Sequence, residues 1–222
     1  MNKKRIAQIS VDAAMSILML IQMSYSLAGK LFHEISGIAL LALFISHHIL
    51  SLNMAKSLLK GKKTPEKAIK LTADILLCIV FTATIISAIS ISQYIFGFLE
   101  IKGLSSIGRT IHMLGAYWGF ALVGIHIGFH LDIMLRKAIK NRKNKPAIII
   151  ILSIISLAGL YFFISEGYYN NMLLLNKFAF IDNKGGLPYF IFKYLMIGAM
   201  FVSIGYLLIK ILKRKRNDNK RA

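Results

Sequence analysis

Cysteine, proline, tryptophan and acidic residues are all scarce in this chain. Its 222 residues include one Cys, three Pro and one Trp, and nine acids stand against 28 Lys and Arg. The lone Cys78 leaves no cysteine cluster for an iron–sulfur centre and no C-x-x-C-H for covalent haem attachment. In the middle of an apolar run it reads as a small packing residue. No G-x-G-x-x-G or P-loop occurs, so nucleotide binding has no visible site. The three prolines, Pro65, Pro146 and Pro188, each open an apolar run, where a missing N–H costs nothing. Thr64 is placed to cap the helix that Pro65 begins. The shortage of acid leaves a formal charge of +19, which in a soluble protein would point to nucleic acid. The distribution excludes that partner. Charges sit in blocks between long apolar runs, the composition is 56% hydrophobic, and mean hydropathy is +0.64.

Six apolar segments stand out, at about 8–28, 32–55, 71–98, 110–135, 147–165 and 188–210. Each reaches the roughly 20 residues that cross a hydrocarbon core of about 30 Å. With the N-terminus in the cytoplasm, 22 of the 28 Lys and Arg fall on the inner side, as the positive-inside rule requires. The expectation is one all-α domain over 1–222: an integral membrane six-helix bundle with both termini cytoplasmic. Lys3-Lys4-Arg5, an apolar run and Ser26-Leu27-Ala28 have the outline of a signal peptide. The run exceeds the usual apolar core, so an uncleaved first helix is expected.

All six histidines, His33, His47, His48, His112, His126 and His130, lie in segments two and four. Ionisable groups inside a membrane are costly, and they face the bundle interior in functional roles. His33 to His47 is 14 residues, and so is His112 to His126. Fourteen helical steps return to within roughly 40° of the starting face and advance about 21 Å. One span separates segments two and four, so they run in the same direction. His33 then stands level with His112 near the outer surface, and His47 with His126 nearer the inside. His48 lies about as far round the helix in the other sense and competes with His47.

Two facing imidazole pairs, one above the other, suit two metal centres. Zinc asks for four ligands, often thiolate or carboxylate, and neither is plentiful here. An iron porphyrin brings four nitrogens and asks only for axial ligands. The expectation is two non-covalent, bis-histidine haem b groups between the second and fourth spans. Gly37 lies one turn below His33, and Gly115 and Gly119 lie below His112, where they clear helix surface for a porphyrin or simply allow close helix packing. Arg109 near the outer pair, and Lys56 or Arg136 near the inner one, either neutralise haem propionates or serve only as interfacial anchors and topology signals. His130 is a candidate for a propionate bond or for proton exchange.

This ligand arrangement resembles the cytochrome b subunit of respiratory quinol-oxidising complexes. More closely, the chain is similar to the flavinylation-associated cytochrome family of small bacterial membrane proteins. The resemblance is carried by Asp12, by Leu27-Ala28-Gly29 with His33-Glu34 and Gly37, by His47-His48 through Asn53, by His112 with Gly115, and by His126 with His130. The stretch from Tyr161 to Lys210 is similar to its longer members. Gly37 follows its histidine by four residues and Gly115 by three, a departure in register.

The resemblance implies a cytochrome of the bacterial cytoplasmic membrane, a redox component rather than a stand-alone enzyme. It would take electrons from quinol or a cytoplasmic donor and pass them to an extracytosolic flavoprotein. The chain has no evident flavin attachment motif, so that acceptor would be a separate protein. Segment 166–187, with Tyr168, Tyr169, Phe178 and Phe180, reads either as a docking surface or as an interfacial aromatic belt. A rival of a different class is a histidine-lined metal or haem transporter. It calls for polar residues continuing through other helices, and Asp74 and Asp132 are the only acids near the inner ends of spans three and four.

Overall fold

The computed structural model describes residues 2–60, 64–99, 103, 105–138, 145–176 and 185–218. Among them there are helices and turns and no strands. Five helices are long and apolar enough to cross a membrane: Lys3–Gln22, Lys30–Met54, Pro65–Ile91, Ser105–Leu131 and Gly186–Arg216. The apolar stretch Ile149–Ser165 is shorter. In full, the long helices are α1 (Lys3–Gln22), α3 (Lys30–Leu59), α4 (Pro65–Ile91), α5 (Ser105–Ala138), α6 (Lys145–Ser165) and α8 (Gly186–Asp218). Two short helices, α2 (Tyr25–Ala28) and α7 (Tyr168–Met172), lie in connections.

The helix ends depart from the apolar runs for identifiable reasons. α1 stops at Gln22, and the Ser24 hydroxyl donates to the Ile21 carbonyl at 2.6 Å. The chain then makes one short helix and turns into α3 at Gly29, whose φ of +84° suits glycine. α4 starts earlier than the apolar run, at Pro65, because the Thr64 side chain accepts the Lys67 N–H at 3.3 Å. It ends at Ile91, where the backbone is captured by Glu34 of α3. That carboxylate accepts the N–H groups of Gln93 at 2.8 Å and Ile95 at 2.9 Å and the Ser92 hydroxyl at 2.7 Å.

Contacts between successive long helices set an up-and-down arrangement. α1 lies antiparallel to α3, with Gln8 donating to the Leu50 carbonyl at one end and Gln22 to Ser36 at the other. α4 and α5 pack antiparallel through Ser87 and His112 and through Asp74 and His126. α8 runs alongside α5 in the same direction, and α6 runs against α8 through Ser156 and Ser203. Arg216 reaches Glu66 at 3.2 Å, which joins the end of α8 to the start of α4. The start of α1 and the end of α8 therefore share one end of the bundle, called here the His47 end. The opposite end is the His33 end.

The packed core lies to one side. Tyr117, Phe120 and Ala121 of α5 meet Tyr168 and Met172 of α7 and Phe190, Tyr194, Ile197, Met200 and Phe201 of α8. Small residues allow the α5–α8 approach: a Cβ on Gly128 would strike backbone atoms of Val202, Gly205 and Tyr206. The α1–α3 pair is bound more loosely. α1 has no buried residue, and α3 touches α4 sparsely. An opening is left between α1–α3 and α4–α5, and the candidate site occupies it.

Candidate functional site

A cavity of about 490 Å³ lies in that opening at the His33 end, within the roughly 300–1,000 Å³ typical of small-molecule and cofactor sites. Its lining includes His33, Gly37, His112, Gly115 and Gly119, with Lys30 and Arg109 among its charged residues. The walls are otherwise mainly apolar. The rings of His33 and His112 face each other edge to face with centroids 5.9 Å apart.

Each ring is held differently. His112 Nδ1–H donates to the Thr84 carbonyl at 3.2 Å, and Ser87 Oγ lies 3.5 Å away. That bond fixes the tautomer and leaves Nε2 with its lone pair. His33 stacks edge-on against Tyr25 at 5.1 Å, and Gln22 and Ser36 both donate to its carbonyl. Its ring nitrogen Nδ1 is buried without a partner, a cost in an apolar setting.

The glycines divide between the two roles open to them. A Cβ on Gly115 would strike the Thr84 side chain, so this glycine brings α5 close to α4 as well as lining the cavity. Gly37 and Gly119 are freer. A Cβ would meet Gln22 Nε2 at 3.4 Å in the first case and Met19 and Val80 at 3.6 Å in the second.

At the His47 end the histidines turn to other partners. His47 Nδ1–H donates to Asp12 Oδ1 of α1 at 2.6 Å. His126 Nδ1 lies 2.9 Å from Asp74 Oδ1 of α4, but the ring N–H is not in line, so the contact is electrostatic rather than a closed hydrogen bond. His130 packs against His126 with centroids 5.3 Å apart and lies within electrostatic reach of Lys70, Asp74 and Asp12. His48 has both ring nitrogens engaged. Nδ1–H donates to the Phe44 carbonyl at 2.9 Å, so Nε2 is the acceptor, and Cys78 Sγ stands 3.3 Å from it. Cys78 is therefore more than filler.

The structure thus brings His33 and His112 together. Among the described residues no ring contact joins His47 or His48 to His126 or His130. Nor do three His, Cys, Asp or Glu side chains converge to hold a bare metal ion. Two facing imidazoles beside an apolar cavity fit a group that supplies its own equatorial ligands, as a porphyrin does. The fit is strongest at the His33 end. At the His47 end it rests on the donor set, since His47 and His126 each turn Nδ1 toward a carboxylate and keep Nε2 for another bond.

Other expectations fare variously. Tyr168 is buried, 1% exposed, and its hydroxyl donates to the Tyr117 carbonyl at 2.9 Å. Burial holds its phenol pKa well above the ordinary range. It belongs to the core, not to a docking surface, because α7 folds back onto α5 and α8. Tyr169 is exposed, whereas Phe178 and Phe180 lie outside the described residues. Arg109 and Lys56 are exposed, and the side chains of Asp132 and Arg136 lie outside the described ones. Sequence reasoning missed Thr84 as the partner of His112, Asp12 and Asp74 as the partners of His47 and His126, and Glu34 as a clamp. Compared with family models, curated proteins and solved structures, the chain matches none.

Proposed function

We propose that the chain is a b-type membrane cytochrome with two haems, a redox component that carries electrons between the two faces of the bacterial cytoplasmic membrane. The observation that carries this reading is the pairing of His33 and His112 across the cavity at 5.9 Å. His33 and His112 would hold one haem b, and His47 and His126 the second. His47 is preferred to His48, whose ring nitrogens are both engaged within α3 and α4. A haem bound there would supply a one-electron couple.

The chain's own groups orient and enclose. Thr84 keeps His112 Nε2 available, and the unpartnered nitrogen of His33 marks a ring not otherwise engaged. The apolar walls exclude water. Lys30 and Arg109 are the cationic groups for the acidic side arms. With six spans and the basic segments inside, the His47 end is cytoplasmic and the His33 end extracytosolic. Quinol or a cytoplasmic reductant is then the donor, and an extracytosolic flavoprotein is the acceptor.

The second reading, a histidine-lined metal or haem transporter, is favoured by one observation. Asp12, His47, His48, Asp74, Cys78 and His126 place polar contacts on four helices at one end. A visible spectrum separates the two. Purified from haem-replete cells, the protein is expected to show a Soret band, a sharp reduced α-band and two haems per chain. A colourless, folded preparation rejects the cytochrome.

A further inference from the structure

The two histidine levels differ in what stands behind each ring. At the His33 end, His112 is backed by a neutral peptide carbonyl, and His33 Nδ1 has no partner. At the His47 end both rings are backed by carboxylates, Asp12 on His47 at 2.6 Å and Asp74 beside His126 at 2.9 Å. The carboxylates come from α1 and α4, the neighbours that flank α3 and α5. Lys70 is the positive charge within electrostatic reach of Asp74 and His130.

We infer that Asp12 and Asp74 are positioning residues that set the His47–His126 centre at a lower reduction potential than the His33–His112 centre. The inference rests on the dihaem reading above. A carboxylate that accepts the Nδ1–H bond draws the proton away from the ring, so Nε2 becomes a stronger donor and the oxidised metal is favoured. The carboxylate charge acts in the same sense, because a nearby negative charge favours the more positive state, and it acts strongly away from water. At the His33 end a carbonyl does this weakly and an absent partner not at all; Glu34, the carboxylate within electrostatic reach of His33, bonds no ring nitrogen and is held by Ser92 and the N–H groups of Gln93 and Ile95. Second-shell hydrogen bonding is among the recognised levers on haem potential. Asp12 makes the closed hydrogen bond and Asp74 only the off-line contact, so Asp12 has the larger influence.

The test is a potentiometric titration of the full haem-loaded protein, followed at the α-band. Wild type, Asp12→Asn, Asp74→Asn and the conservative Asp12→Glu are compared. Two waves are expected for the wild type, the upper assigned by its loss in His112→Ala. Each asparagine variant moves the lower wave upward and leaves the upper in place, Asp12→Asn more than Asp74→Asn, and Asp12→Glu returns it toward the wild-type value. A merely structural aspartate would not give that restoration. Both waves unmoved in the two asparagine variants, or a shift of the upper wave instead, overturns the inference while leaving two haems in place. A preparation without haem overturns the underlying reading, so the two failures are distinguishable.

Discussion

The His33 end and the His47 end carry histidines at matched spacing, yet they are built on different principles. At the His33 end, rings from α3 and α5 meet across an open cavity, with centroids 5.9 Å apart. At the His47 end, α3 and α5 each send their histidine to a neighbour, His47 to α1 and His126 to α4. Equal helical spacing fixes the level of a side chain and, roughly, its face. What it meets at that level depends on the helices packed beside it. One end is organised as a pocket, and the other as two separate arms, each histidine set against a carboxylate of a neighbouring helix.

The contrast is most exposed at the His33 end. Alanine at His33 and alanine at His112 should each remove half of the bound haem, and the same half. Haem content per chain and the reduced α-band of the two variants and of the double variant measure it. On the pairing proposed above, the double variant should lose no more than either single one. Loss of different spectral components from the two single variants would break the pairing.

The levels and the shared direction of α3 and α5 were legible in the sequence because both follow from helical rise and span count. The carboxylate partners were not, since a hydrogen bond between helices depends on their register and rotation. Even so, a trace was present. Asp12 lies 17 residues before Gly29 and His47 lies 18 after it, so a hairpin turning at Gly29 sets them level. Gln22 and Ser36, seven residues to either side of the same glycine, obey the same mirror and are bonded. The start of α4 was legible, because Thr64 and Pro65 read as cap and first turn, whereas its end was not, because Glu34 clamps it from another helix. Tyr168 was misplaced on the surface because nothing in the sequence shows that α7 folds back against the core.

A smaller effect sharpens the contrast in packing. Along α5, Gly119 lies toward the cavity and Gly128 lies in the seam with α8. A methyl at Gly128 meets only backbone, which has no soft end to give, whereas at Gly119 it meets side-chain atoms at ordinary contact distance. Gly128→Ala should therefore cost about 1–3 kcal/mol as an overpacking change. Gly119→Ala should be close to neutral by comparison. Thermal denaturation of the two variants in the same detergent measures the difference. Equal stability would mean that the seam is not what holds the His47 end together.

The smallest expected effect concerns the doubled histidine, and its smallness is informative. His47 and His48 are adjacent, and helical geometry alone places them about equally far from the face of His33. Their partners separate them. His48 donates through Nδ1–H to the Phe44 carbonyl of its own helix, presents Nε2 to Cys78, and lies against the Phe44 ring with centroids 4.2 Å apart. No nitrogen is left over. His47 spends only Nδ1, on Asp12. Replacing His48 by Gln keeps a polar group of similar reach toward Cys78, so haem content should remain at the wild-type level and stability should fall by no more than about 1 kcal/mol, the usual worth of one hydrogen bond. His47→Gln should remove the second haem. Haem quantification of the two variants, prepared side by side, decides the matter, and the reverse outcome would assign the ligand to His48.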